Sequence, residues 1–366
     1  MAIITDVPVE ILFYIAAFLP RSSVLALLRT CRQLFRAYAV ELYASVDVRG
    51  LQARMLALTI LTSQQMDYGG MVKKFIFRGE NTNDHLYLTY PLLTDALACM
   101  NRLIRLTLIM SPSHATYFAS LMGRHGMYRV SNGPLASIHE SISDNPPSSR
   151  YVLPAIRELT CEGDVELVKL AMNRRLTHLT IRSCINSGTL SDVMEWTQGS
   201  ILHTLDIKLF ISTTMELVLI LYGVSESCPN LRRLQIATGM FNALVGENRF
   251  RIDDLLNQTQ DISHALSTSP PLLPNLRELW FNQRYLLPPV HGSPVIESFN
   301  IQRDHLNCAL DHLPYLCSVK FGLVDWTIVE SSKGRKWRSE YFHKEIWVGP
   351  QWAGFSGDFS CLYLKE

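Results

Sequence analysis

Nine times between residues 72 and 321 the chain spells one pattern, apolar-x-x-apolar-x-apolar. It reads Val72-x-x-Phe75-x-Phe77, Leu103-x-x-Leu106-x-Leu108, Ile156-x-x-Leu159-x-Cys161, Leu176-x-x-Leu179-x-Ile181, Leu202-x-x-Leu205-x-Ile207, Leu231-x-x-Leu234-x-Ile236, Leu276-x-x-Leu279-x-Phe281, Ile296-x-x-Phe299-x-Ile301 and Leu316-x-x-Val319-x-Phe321. Successive starts lie 31, 53, 20, 26, 29, 45, 20 and 20 residues apart. Side chains alternate along a strand, so positions 4 and 6 face one side and positions 3, 5 and 7 the other. Helix-like stretches fall between several motifs: Val165 to Met172, Met215 to Tyr222 and His305 to Leu313. Strand and helix alternating at this period predict an α/β solenoid, with a parallel sheet on one face and helices on the other.

Turn signals lead into the motifs. Cys228-Pro-Asn-Leu231, Leu273-Pro-Asn-Leu276 and Leu313-Pro-Tyr-Leu316 place a proline in the same register before the strand. Five of the eight spacings fall in the range of about 20 to 29 residues typical of leucine-rich repeats. The lead-ins and motifs resemble those of fungal-type F-box proteins with C-terminal degenerate leucine-rich repeats. The longer gaps read as insertions at residues 131–150, 237–274 and 285–294. The first is rich in Ser, Asn and Gly with Pro146-Pro147, the composition of an exposed loop. On this reading the repeats occupy 46–330. Residues 331–366, with Trp337, Trp347 and Trp352, supply a cap for the open end of the core.

The first 45 residues follow a different grammar. Pro8 and Glu10 mark a helix start near Val7, and apolar residues at Ile11, Leu12, Ile15, Phe18 and Leu19 form one helical stripe. Pro20 ends that helix. Ser22 or Ser23 can cap a second carrying Val24, Leu25, Leu27 and Leu28; Leu34, Phe35, Tyr38 and Leu42 continue as a third. So small a unit cannot bury all this apolar surface by itself, which leaves a face for a partner. Pro-x-Glu-Ile-Leu, the Phe-Leu-Pro break and the Leu-x-x-Leu-Leu-x-x-Cys-Arg run resemble an F-box; Val7 stands where that family usually has Leu. The resemblance implies docking on a Skp-type linker through Pro8, Ile11, Leu12, Ile15, Phe18, Leu19, Leu25 and Leu28, and through it on cullin and RING subunits.

Composition and chemistry narrow the remaining options. At 366 residues, 48% hydrophobic and 18% charged, the chain has material for a large core. A formal net charge of +1 gives no electrostatic reason to expect nucleic acid or an acidic membrane as partner. No apolar run is long enough to span a bilayer. The eight cysteines contain no Cys-x-x-Cys pair, and reduced thiols in cytosol or nucleus are the simplest account. Gly354-Phe-Ser-Gly-Asp358 misses a nucleophile elbow by its last residue. His305, Cys308, His312 and Cys317 have a roughly zinc-like spacing but read as repeat framework, and Lys333, Arg335, Lys336 and Arg338 form a basic cluster that reads as a solvated turn, with a nuclear address as the alternative. No catalytic residue, metal or cofactor is expected.

The alternation argument names a binding stripe. Positions 3, 5 and 7 put His178, Arg182, Asp206, Lys208, Arg233, Glu278, Trp280, Asn282 and Asn300 on the open sheet face, with Trp280 as the large amphipathic anchor. The chain therefore reads as a non-catalytic substrate-recognition subunit of an SCF-type ubiquitin ligase, cytoplasmic or nuclear, whose repeats bind an unidentified protein. The alternative is a leucine-rich-repeat scaffold that acts outside ubiquitin transfer.

Overall fold

The computed structural model describes residues 7–80, 82–83, 85–128, 152–211, 214–239, 272–282, 303, 306–307, 313–321, 324–331 and 334–341. The chain divides into two compact units, Met1–Leu202 and His203–Glu366. It is an α/β protein whose sheets are mostly parallel.

The first unit opens with three helices, α1 (Val9–Phe18), α2 (Arg21–Leu28) and α3 (Arg32–Ala44). The Pro8 carbonyl accepts the N–H groups of Ile11 and Leu12, so Pro8 precedes the first turn and the helix begins at Val9 rather than Val7. Pro20 plays the same part for α2, accepting from Ser23 and Val24. Neither Ser22 nor Ser23 caps the helix, because Pro20 already occupies that position in an extended conformation. Leu12, Val24, Leu28, Leu34, Tyr38 and Ala39 form a core of their own under these helices, with Leu19, Leu27, Met66 and Met71 packed against it.

Helix α3 passes without a loop into strand β1 (Ser45–Arg49). That strand belongs to a tenth copy of the motif, Tyr43-x-x-Val46-x-Val48, whose first position is hidden in the last turn of α3. Strands β2 (Lys74–Arg78), β3 (Arg105–Ile109), β4 (Glu158–Glu162) and β5 (His178–Ile185) follow, each parallel to its predecessor. The register aligns like motif positions: Val46, Phe75, Leu106, Leu159 and Leu179 stack across the five strands, with Val48, Phe77, Leu108, Cys161 and Ile181 two residues on. All ten are buried.

One repeated pair of hydrogen bonds locks that register. The carbonyl at position 2 of a motif accepts the N–H groups of positions 2 and 3 of the next. Lys73 receives Ile104 and Arg105, Ile104 receives Arg157 and Glu158, and Arg157 receives Thr177 and His178. Helices α4 (Gly50–Thr62), α6 (Tyr90–Cys99), α7 (Pro112–Arg124) and α8 (Ser187–Trp196) connect the strands, together with a short α5 (Tyr68–Met71) and a 3₁₀ helix at Val165–Ala171. Each of the four longer ones buries one side, as with Leu93, Ala96 and Leu97 of α6 and Ala115, Phe118 and Met122 of α7. Crossover connections of this length suit parallel neighbours.

In the second unit, strands β6 (Thr204–Phe210), β7 (Arg233–Gly239), β8 (Glu278–Asn282) and β9 (Ser318–Phe321) are parallel to one another, with α9 (Thr214–Ser227) between β6 and β7. The same carbonyl device recurs at His203, Arg232 and Arg277. The proline lead-ins are turns in which the motif's first N–H returns to the carbonyl before the proline: Leu231 to Cys228, Leu276 to Leu273 and Leu316 to Leu313. Ala237 to Gly239 belong to β7 and Leu272 to Pro274 to a lead-in, so only 240–271 of that expected insertion is unassigned to an element, and it lies outside the described residues. The expected insertions at 131–150 and 285–294, the motif at Ile296, and Trp347 and Trp352 lie outside them as well.

The parallel pattern stops earlier than the expected boundary at residue 330. Strand β10 (Val324–Ser331) turns back antiparallel on β9, and β11 (Gly334–Tyr341) turns back on β10. Two residues between β9 and β10 allow a hairpin and no crossover. Trp326 and Trp337 are buried in this hairpin. Arg335, Lys336 and Arg338 are strand residues of β11 rather than a solvated turn, with Lys336 and Arg338 exposed.

One buried side chain was invisible to pattern reading. Arg174 is 5% exposed, and its guanidinium donates to the carbonyls of Leu170, Met172 (3.2 Å), Met127 (2.6 Å) and Val152 (2.7 Å). Met127 and Val152 flank residues 129–151, so a single cation ties both ends of that segment to the repeat behind it. Burial disfavours the charge and lowers its pKa to about 10, which still leaves it protonated at neutral pH. Because the folded chain holds this proton less tightly than the unfolded chain does, the cost is fully present below about pH 10; the four carbonyl contacts offset it. Arg174→Met removes the donor from all four carbonyls and is expected to cost about 3 kcal/mol or more, read as a lower urea midpoint for the full chain.

Candidate interaction surfaces

Two surfaces were expected to bind, and the structure sorts their residues. On α1, the outward stripe is Ile11, Tyr14, Ile15 and Phe18, spaced i, i+3, i+4, i+7; Phe18 is 72% exposed and Tyr14 68%. The Tyr14 and Phe18 rings meet edge to face, with centroids 5.0 Å apart. Leu25 adds an exposed position on α2, and Pro8 is exposed at the head of α1. Leu12 and Leu28 were expected on this face and are not there. Leu12 is 1% exposed and, with Leu28, sits in the three-helix core; Leu19 is half-buried against it. A helix with apolar residues on more than one side must give one side to its neighbours, and periodicity alone did not say which. Tyr14 completes the outer stripe and was missed, although its spacing from Ile11 and Phe18 was there to read.

The open sheet face is built by positions 3, 5 and 7. In the first unit it is laced with ion pairs between neighbouring strands: Arg78 with Asp47 at 3.2 Å, Arg105 with Glu158, and Arg182 with Glu162 at 3.6 Å. Arg182 therefore has a partner within the sheet. His178 is exposed, its Nδ1 2.9 Å from Thr177 Oγ1. Thr107, placed on this face by alternation, is buried; it is a short side chain between Ile76 and Thr160 in the ladder.

In the second unit, Arg233 of β7 lies directly opposite Glu278 of β8 and donates from Nε to its Oε2 at 2.6 Å. Its guanidinium carbon also stands 4.9 Å from the centre of the Trp280 ring, one diagonal step away on β8. The hydrogen bond to Glu278 is the largest influence and raises the Arg233 pKa; burial opposes it, and the Glu278 charge adds a smaller rise. Lys208 is exposed and Asp206 half-buried on β6. Asn282 ends β8, and Asn300 lies outside the described residues.

The described residues hold no group of three or more His, Cys, Asp or Glu side chains arranged for a metal ion, and of the zinc-like quartet only Cys317 is among them. No helix of the described residues is long and apolar enough to cross a membrane. Neither the protein-family models nor the curated proteins contain a match to this chain.

The two classes of position should separate in stability measurements. Trp280→Ala removes a half-buried ring and one cation–π contact, and is expected to cost about 1 kcal/mol or less. Leu234→Ala, which opens the ladder beneath it, is expected to cost about 2–5 kcal/mol. Chemical denaturation of both variants checks this; equal losses would place Trp280 in the core.

Proposed function

We propose that the chain is a non-catalytic recognition subunit of an SCF-type ubiquitin ligase, in which the N-terminal helices act as an F-box on a Skp-type linker and the repeats hold a protein substrate. The observation that carries this reading is the Ile11, Tyr14, Ile15, Phe18 stripe. Four apolar side chains at helical spacing point outward from a three-helix unit that already has its own core, and a partner helix or groove is the usual cover for such a stripe. The sequence around it, Pro8-x-Glu10-Ile11-Leu12 and Phe18-Leu19-Pro20, is the part that resembles an F-box. The repeats then provide a rigid face on which a second protein is held, and holding it beside a bound ubiquitin-conjugating enzyme raises the local concentration of its lysines. The reading places the protein in cytosol or nucleus.

Coexpression with a Skp-type linker tests it. Wild-type chain should retain the linker in a pull-down. The triple variant Ile11→Ala, Ile15→Ala, Phe18→Ala should lose it, since buried apolar anchors at interfaces each contribute about 2 kcal/mol. Its melting curve should stay close to wild type because these side chains are outside the core. Leu12→Ala, by contrast, should lower the melting temperature. A wild-type chain that never retains the linker would leave the repeat-scaffold reading in its place.

A further inference from the structure

The geometry points to Arg233 as a preorganised carboxylate-binding site, reading an unmodified Asp or Glu side chain of the protein held on the open face; this deepens the substrate reading above and rests on it. Three observations converge. Nε of Arg233 is already taken by Glu278 at 2.6 Å, and the guanidinium carbon stands over the Trp280 ring, 4.9 Å from its centroid. Two contacts from one rigid neighbouring strand fix the position of a side chain that would otherwise sample many rotamers. Its terminal fork, Nη1 and Nη2, has no hydrogen-bond partner among the described residues, while the side chain remains 43% exposed. A fork held in place with both outer donors unused matches one planar carboxylate, and little ordering cost is left for the bound state.

Charge selects the ligand. Arg233 and Glu278 are one cation and one anion, so the pair is close to neutral: a carboxylate on the fork adds one negative charge beside Glu278 and a phosphate dianion adds two, while Lys320, opposite Trp280, is itself paired with Asp325.

The molecule carries its own control. Arg105 and Glu158 occupy the same motif position on adjacent strands of the first unit and form the same ion pair, but Thr160 stands where the second unit has Trp280. Without the aromatic backing the Arg105 pair is a sheet-stabilising contact only.

Fluorescence anisotropy of the full chain with a labelled hexapeptide alternating Ser and Glu tests the site, alongside a Ser/Gln peptide and a phosphoserine peptide of equal charge. Binding of the Glu peptide should weaken about tenfold or more in Arg233→Gln and clearly in Trp280→Leu, and by less than about twofold in Arg105→Gln. Arg233→Lys, which keeps the charge and loses the fork, should also weaken it. Equal losses in Arg105→Gln and Arg233→Gln, equal binding of the Ser/Gln peptide, tighter binding of the phosphoserine peptide, or no binding to wild type would each overturn the proposal. Retention of the Skp-type linker by Arg233→Gln, measured in parallel, reports on the adaptor reading separately.

Discussion

One backbone carbonyl per repeat holds the architecture together. At position 2 of the motif it accepts two N–H groups from the next strand, at Lys73, Ile104 and Arg157 in the first unit and at His203, Arg232 and Arg277 in the second. A shift of one residue would break that pair and also turn every core side chain to the open face, so hydrogen bonding and burial select the same register. From this the stacks of positions 4 and 6 follow, and so does the polar character of positions 3, 5 and 7. The connections vary from a 3₁₀ helix of seven residues to α-helices of thirteen or fourteen because nothing in the device depends on their length.

The repeat grammar was therefore readable: of the nine motifs, the eight within the described residues have their first and fourth positions buried. What escaped reading escaped for physical reasons. Tyr43-x-x-Val46-x-Val48 was hidden because its first residue serves the helix and the strand at once. Arg174 carries no periodic signature; its four carbonyl partners come from three separate stretches of chain. The reversal at β10 depends on a two-residue connection rather than on strand composition, and the strand propensity of Val324 to Ser331 is silent on direction. On the N-terminal helices, the apolar residues were evident but their division into inner and outer sides was not. Leu12 and Ile11 are adjacent, equally apolar, and on opposite sides of the distinction.

That division changes what the N-terminal unit can offer. A core of Leu12, Val24, Leu28, Leu34 and Tyr38 means that the outward stripe is surplus to folding, not a by-product of it. Exposed aromatic and aliphatic residues at i, i+3, i+4, i+7 spacing are costly to leave against water, and here they lie on a helix that is stabilised from behind. Such a face presents its side chains already positioned, which lowers the ordering cost of association.

The open sheet face argues differently. Charges there are largely matched within each unit, Arg78 by Asp47, Arg105 by Glu158 and Arg182 by Glu162 in the first and Arg233 by Glu278 in the second, and the whole chain carries a formal charge of only +1. A surface so balanced gives little long-range attraction to a partner of either sign. Recognition on it has to come from local geometry, that is, from places where a paired side chain keeps unused donors in a fixed direction. An arginine satisfied on Nε and supported on its face is such a place, because the pairing that cancels its field also aims the rest of its hydrogen bonds. The sheet supplies alternation; what distinguishes the Arg233 pair from the Arg105 pair, on the proposed reading, is that position 5 of the next strand is Trp280 rather than Thr160.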